Sequence, residues 1–306
     1  MNIVTEIMPT RLQPLFAALD WNMLNEIRLR ANCPVLVSVG GQNRFLTKTG
    51  ASTKVRNDNE LFMVSRAEID SILHKAANYA VYAVNEQIKQ GFLTMKGGIR
   101  IGLVGEVVQE HGVVTTIKNV NALNIRIPHQ VRGCSYPTLP YVLGDTRPYS
   151  TLVIAPPGCG KTTLLRDLSW QISDKYNLLN TLVLDERGEI AAAHLGECQL
   201  DVGPFTDVSS GCSKQYGFEN GIRSMRPDVI ITDEIATAAD IEMIRVATRS
   251  GVAVIASVHA SGIDEIRKKP NFRELIDVGI FERYVVLEGL GKISGIFDER
   301  LQFIAG

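Results

Sequence analysis

The chain has 306 residues, 45% of them hydrophobic and 21% charged, with a formal net charge of −1. That length is enough for two domains with cores of their own. The near-neutral balance supplies no global positive field for nucleic acid, and the five cysteines, Cys33, Cys134, Cys159, Cys198 and Cys212, form no C-x-x-C pair and read as reduced thiols rather than a metal site or disulfide framework.

At the N-terminus, MNIVTEIMPTRLQP lacks a basic region followed by an apolar one, so no secretory signal is expected, and no apolar run approaches the ~18 residues that span a bilayer. LNEIRLRANCPVLVSVGGQNRFLT alternates apolar and polar residues, as half-buried strands do. SRAEIDSILHKAANYAVYAVNEQIKQG is strongly helical, opened by a Ser cap with Glu three residues on. GFLTMKGGIRIGLVGEVVQEHGVVTTIKNVNALNIRIP reads as four short strands, with Lys96-Gly97-Gly98 as a hairpin turn. Prolines, glycines and polar residues then gather between Gly133 and Ser150. The expected organisation is an α+β domain over 1–135, a linker over 136–150 and a second domain over 151–306.

Past that boundary strand and helix alternate. STLVIA is a short apolar run, and TTLLRDLSWQIS carries Leu164, Leu165, Leu168 and Ile172 at helical spacing. TLVLD, DVIITDE and VAVIASV are further strands, with the helix AADIEMIRVATRSG before the last. Short β-branched runs separated by helices predict a parallel sheet covered on both faces. ERYVVLEGLGKISGIFDERLQFI predicts an antiparallel meander at the end.

The stretch APPGCGKTT, Ala155 to Thr163, follows a strand and opens a helix. Gly158 and Gly160 allow the backbone to turn its N–H groups onto a phosphate, Lys161 would reach the β- and γ-phosphates, and Thr162 would ligate Mg²⁺. Pro156, Pro157, Cys159 and Thr163 complete the cradle; Ala155 stands where the phosphate-loop pattern has glycine. Asp233 and Glu234 end an apolar strand at the edge where ligands sit in parallel sheets. Asp233 would hold Mg²⁺ through water and Glu234 would polarise the attacking water; the bland alternative is a helix N-cap. Asp185, Glu186 and Glu189 follow TLVLD, a strand expected beside the phosphate-loop strand. They are open to two readings, groups near the metal or a solvated loop. His259 ends VIASVH, expected beside the strand of Asp233, where it is either a sensor of the γ-phosphate or a structural histidine.

Arginines often stabilise transferred phosphoryl charge from a neighbouring subunit. Arg223, Arg226, Arg245 and Arg249 flank these strands. In or near the first domain, Arg100, Arg126 and Arg132 are placed to face a neighbour's nucleotide, Arg126 and Arg132 being assigned that catalytic role.

The order of these motifs resembles the secretion ATPases of type II and type IV systems. More closely, NEIRLRANCPVLVSV, GFLTMKGGIRIGLVGEV, LNIRIP, APPGCGKTTLLRDL, LVLDERGEIAA and MRPDVIITDEI resemble the stage III sporulation protein AA family of endospore-forming bacteria, over nearly the full length. The resemblance implies a RecA-like P-loop ATPase domain with a parallel sheet, preceded by a smaller α+β domain. It implies a homohexamer using ATP and Mg²⁺, with Glu234 as catalytic glutamate, Glu186 in an acidic box and His259 in a His box. It further implies a mother-cell protein docked on integral membrane proteins of the channel to the forespore. Asp233 departs from the secretion ATPases, which usually have glycine there. DERGE departs from their acidic box, leaving the roles of Asp185 and Glu186 undivided. Two other classes stand beside this one: a RecA-like nucleic-acid-binding ATPase, disfavoured by the charge balance, and a nucleotide-switched scaffold.

Overall fold

In the computed structural model the described residues are 3–54, 58–79, 84–145, 147–175, 179–193 and 196–306. They form two compact units. One runs to His129 and takes in residues 196–199; the other holds Gln130 onward apart from that excursion.

The first unit is built on a seven-stranded antiparallel sheet, in the order Gly50–Ser52, Gln42–Thr47, Leu36–Val39, Leu24–Arg30, Val113–Arg126, Ile99–Glu110, Phe92–Met95. Alternation decides its faces: Ile27 and Leu29 are buried while Arg28 and Arg30 are exposed. The buried face packs with Val4, Ile7, Ile69, Ile72 and Ala76 from the helices Ile3–Ile7 and Arg66–Tyr79. Ser65 and Glu68 form the expected reciprocal cap, Ser65 N–H donating to Glu68 Oε2 (2.9 Å) and Glu68 N–H to Ser65 Oγ (3.2 Å). The stretch expected to be helical holds Arg66–Tyr79 and Val84–Lys89; the intervening 80–83 lie outside the described residues.

Two other expectations are corrected or sharpened. Lys96-Gly97-Gly98 does turn a hairpin, with φ 82° and 71° at its glycines. The four short strands are three, because Ile99–Glu110 and Val113–Arg126 run long. Gly105 looks in sequence like a break between strands, yet it is a bulge: a Cβ there would meet Lys118 O at 2.6 Å and Val120 Cα at 2.8 Å. The ladder shifts register at that point and continues, as a bulge allows.

The second unit carries an eight-stranded sheet in the order Thr206–Ser210, Thr181–Asp185, Val229–Thr232, Ala253–His259, Thr151–Ala155, Arg283–Gly289, Lys292–Asp298, Phe303–Ala305. The first six are parallel, and the last two close it antiparallel. Both faces are covered, as runs of fully apolar strand residues require. Leu152, Ile154, Ile230, Val254 and Ala256 pack with Phe218, Ile241, Ile244 and Leu275. Their alternates Val153, Ala155, Val183, Ile231 and Ile255 pack with Leu164, Leu165, Leu168 and Ile172 of the helix Lys161–Lys175.

Sequence patterning missed several elements of this unit, among them the helices Ile263–Lys268 and Pro270–Asp277. The strand Thr206–Ser210 is half exposed, at the sheet's edge, and reads TDVSS without an apolar stripe. The helix Lys214–Ser224 is opened by Ser213, whose Oγ accepts from Tyr216 N–H. The segment expected as a linker contributes Leu139 and Val142 to the core of this unit. Asp167 holds it there, accepting from Gly133 N–H (3.0 Å), Ser135 N–H (2.8 Å) and Ser135 Oγ (2.6 Å).

Candidate nucleotide site

The strand Thr151–Ala155 ends in a tight loop and the helix Lys161–Lys175 begins directly after it. Gly158 and Gly160 take φ 79° and 86°, a conformation that side chains rarely adopt. Gly160 has a second reason to be glycine. A Cβ there would lie 2.8 Å from Leu290 Cδ1 and 3.0 Å from Leu290 Cα, at the tip of the hairpin joining Arg283–Gly289 to Lys292–Asp298. Ala155, the departure from the glycine pattern, is a buried strand residue whose side chain joins the core. A methyl group therefore fits at that position without touching the loop's conformation.

Lys161 is buried, and its Nζ donates to Ala155 O (2.9 Å), Pro156 O (2.9 Å) and His259 Nδ1 (2.8 Å). Burial pulls its ammonium below the usual lysine range, while Asp233, Cys159 and Glu234 pull the other way. Thr162 Oγ1 donates to Asp233 Oδ2 at 2.7 Å. Asp233 Oδ1 in turn accepts from Ser257 Oγ and from Glu234 N–H (2.9 Å), and Ser257 Oγ accepts from the same N–H (3.0 Å).

Glu234 has φ 34°, left-handed for a residue with a side chain. Such a conformation costs about 1–3 kcal/mol and persists where its surroundings hold it; here its N–H is gripped from two sides. Its carboxylate divides its oxygens. Oε2 pairs with Arg187 Nη1, and Oε1 lies 3.7 Å from His259 Nε2. Because His259 Nδ1 accepts from lysine, the ring carries its proton on Nε2, facing the glutamate. Asp233 is not a helix cap: Thr237 caps Ala238–Arg249, in a capping box with Asp240.

The expected neighbour of the phosphate-loop strand is corrected. Thr181–Asp185 pairs with Thr206–Ser210 and Val229–Thr232, and two strands separate it from Thr151–Ala155. The crossover after the helix Lys161–Lys175 skips those places, and later strands fill them. The strand of His259 pairs with Val229–Thr232, as expected, and also with Thr151–Ala155, His259 lying opposite Ala155.

The two acids of the DERGE stretch part company. Asp185 is buried and accepts from four backbone N–H groups, of Glu189 (2.8 Å), Ile190 (3.0 Å), Ala191 (2.9 Å) and Ala192 (3.2 Å). Arg166, from the helix after the phosphate loop, donates to Ile190 O (2.5 Å) and Glu189 O (2.6 Å). Burial lowers the pKa of Arg166, against the pull of Asp185 and other acids. Glu186 pairs with Lys214 Nζ at 2.7 Å, a residue that opens the helix after the next strand.

The arginines are placed away from the loop or in the other unit. Arg132 stacks on Trp170 (4.2 Å to the ring centroid) and pairs with Asp201. Arg126 is exposed in the first unit, opposite Arg100 and Glu26 in register. Arg100 lies over Phe92, at 4.0 Å. Arg245 and Arg249 line a cavity of about 430 Å³ with Arg147 where the parallel strands begin, at the edge opposite the phosphate loop. Arg226 borders an adjoining cavity and Arg223 is exposed near the end of its helix.

Arg187, Ser257, Arg166 and Lys214 were missed by sequence reasoning. Ser257 carried a usable signal, a hydroxyl two residues before His259 and so on the same face of a buried strand. Arg187 carried none beyond its place between acids.

The donor set suits a nucleotide with its magnesium. Among the described residues no group of three or more His, Cys, Asp or Glu side chains stands ready to hold a metal. Mg²⁺ is commonly held by one or two side chains together with phosphates and water, and the Thr162 hydroxyl beside Asp233 offers that pair.

Comparison with known proteins accords with this geometry. The family model for sporulation stage III, protein AA matches residues 2–304. The stage III sporulation protein AA of Bacillus subtilis (strain 168) is 36% identical over 308 aligned positions, covering 98% of this chain and 95% of that protein. Among solved structures, the pilus retraction motor PilT with bound ADP aligns with a TM-score of 0.56 at 16% identity, over 94% of this chain and 78% of that one. The Legionella pneumophila ATPase DotB aligns with a TM-score of 0.53 at 15% identity, over 91% of this chain and 77% of that one.

Proposed function

Because the chain belongs to the stage III sporulation protein AA family, we propose that it is a Mg²⁺-dependent ATPase of the secretion-motor type. It works as a homohexamer on integral membrane proteins of the channel between mother cell and forespore, from the mother-cell cytoplasm. Among the described residues no helix is long and apolar enough to cross a membrane.

One observation carries the reading. Lys161, His259, Glu234 and Asp233 with Thr162 form one connected set along the C-terminal edge of adjacent parallel strands. Mg²⁺, when bound, would supply charge neutralisation to the phosphates. Loop N–H groups would hold the phosphates together with Lys161, which gives up one of its three present acceptors to do so; Thr162 and Asp233 would hold the metal, and Glu234 Oε1 takes the proton of the attacking water. The water oxygen bonds to the γ-phosphorus as the bond from that phosphorus to the β–γ bridging oxygen breaks, giving ADP and phosphate, and the proton on Glu234 passes to the product phosphate. His259 joins the lysine that touches phosphate to the glutamate that touches water, so it reports the γ-phosphate to both. Glu186 acts from the flank, and Arg126 and Arg132 act on a neighbouring subunit's nucleotide.

The test pairs phosphate release with mass in solution, with and without Mg-ATP. Lys161→Ala is expected to abolish nucleotide binding, and Glu234→Gln to keep binding and stop turnover. Normal turnover by Glu234→Gln removes the catalytic assignment. A wild-type chain that binds no nucleotide removes the whole reading.

A further inference from the structure

The turn after Thr181–Asp185 is fixed at three points. Asp185 closes it from within through four backbone hydrogen bonds. Arg166 grips the carbonyls of Glu189 and Ile190, and Lys214 ties down Glu186. Gly188, at φ 66°, lets the chain reverse between these anchors. From this rigid frame one side chain reaches toward the site. Arg187, 59% exposed, places its Nη1 on Glu234 Oε2.

The sheet order makes this contact part of a series. Arg187, Glu234, His259 and Lys161 follow four strands that lie side by side, Thr181–Asp185, Val229–Thr232, Ala253–His259 and Thr151–Ala155. Each side chain meets the next. A carboxylate without a partner at hydrogen-bond distance rotates about its last bond, and at 3.7 Å His259 Nε2 does not hold Oε1 by itself. Held on Oε2 by a guanidinium, it keeps its plane, and Oε1 stays turned toward His259 and the phosphate loop. An ion pair this exposed adds little to stability, so its effect is on orientation.

We propose that Arg187 is the positioning residue of Glu234, pinning Oε2 so that Oε1 is aimed at the attacking water. The inference rests on the hydrolytic reading above and deepens it, adding a group that acts within the same chain. Arg187 moves no proton and contacts no phosphate in this role.

The experiment uses the full chain. Phosphate release under Mg-ATP and binding of a fluorescent ATP analogue are measured for wild type, Arg187→Ala, Arg187→Lys, Glu234→Gln and the Arg187→Ala/Glu234→Gln pair. Misaiming a reacting group costs roughly 10²-fold, so Arg187→Ala is expected to lose about that much kcat. KM and analogue affinity stay within about twofold, because only an interaction of the transition state is lost. Arg187→Lys, which keeps the charge without the planar fork, regains part of the loss. With Glu234 already glutamine, removal of Arg187 has no further effect, since the two act as one unit. Wild-type kcat in Arg187→Ala overturns the inference, as does a further fall in the double variant. A loss of analogue affinity without a loss of kcat overturns it too, making Arg187 a phosphate ligand. If the wild type binds the analogue and releases no phosphate, the hydrolytic reading falls and takes this inference with it; if wild type and Arg187→Ala turn over equally, the inference falls alone.

Discussion

Two neighbouring strands of the parallel sheet end in the same dipeptide, Asp185-Glu186 and Asp233-Glu234, and the two corners do different things. At the first, the aspartate turns inward and satisfies four backbone N–H groups. At the second, the aspartate turns outward, to the Thr162 hydroxyl and Ser257. The glutamates diverge likewise, Glu186 to a single lysine and Glu234 to a position between Arg187 and His259. The difference comes from the segment after each strand and from the strands beside it. Asp185 is succeeded by a turn whose amides need an acceptor. Asp233 stands next to the strand of Ser257 and within reach of the phosphate-loop helix. Identical acidic pairs thus make different contacts according to the neighbours the topology provides.

The strongest way to break this contrast is to remove each glutamate's charge in turn. Glu234→Gln is expected to lower turnover by about 10²–10⁴-fold, the range of a positioned general base, and Glu186→Gln by clearly less, read as kcat in a phosphate-release assay. Equal losses would place both corners in the chemistry. Next come the aspartates, compared by denaturant midpoint. Asp185→Asn leaves buried amides without an acceptor and is expected to destabilise the fold by about 3 kcal/mol. Asp233→Asn, in a half-open setting, is expected to cost under ~1 kcal/mol while lowering turnover. A reversed order would erase the distinction.

A smaller effect sharpens the second corner. His259→Gln keeps an acceptor for Lys161 and removes the ring facing Glu234, so turnover should fall about tenfold with nucleotide affinity near that of wild type. The smallest effect lies outside both corners and calibrates acid melts of the chain. The bond from Arg11 holds the Glu68 carboxyl down to about 2 from its usual 4.5, with burial opposing. The stability it lends is complete above the usual value and is lost as pH falls from there toward about 2. Arg11→Ala should therefore move acid unfolding of the first unit to slightly higher pH, followed by circular dichroism. The change is small because the pair is largely solvated.

Much of the second unit was legible because its signals are local. A strand, a glycine-rich loop and a helix come in direct succession around APPGCGKTT, and each fully apolar run became a central strand. Asp233, Glu234 and His259 were found by the rule that strand ends of one edge meet. What stayed hidden depends on the order of strands. TLVLD comes after the phosphate-loop helix in sequence, yet two strands lie between it and the strand that carries the loop, and local spacing carries no trace of that crossover. Arg187 became visible only once that order placed its turn beside Val229–Thr232. The fused long strands were missed for another reason. Gly105 looks the same in sequence whether it ends a strand or bulges within one, and only the approach of Lys118 and Val120 separates the two.

The place of Thr151–Ala155 in the sheet also sets a schedule. Its two strand neighbours, Ala253–His259 and Arg283–Gly289, are both synthesised long after it. Thr181–Asp185, Thr206–Ser210 and Val229–Thr232 pair among themselves and can assemble without it. During translation the phosphate loop therefore emerges early and waits. Its strand gains a ladder partner only when Ala253–His259 has left the ribosome, and Leu290 closes over Gly160 later still. Contacts this distant in sequence make assembly slow, and they leave the candidate site incomplete until nearly all of the chain has been made.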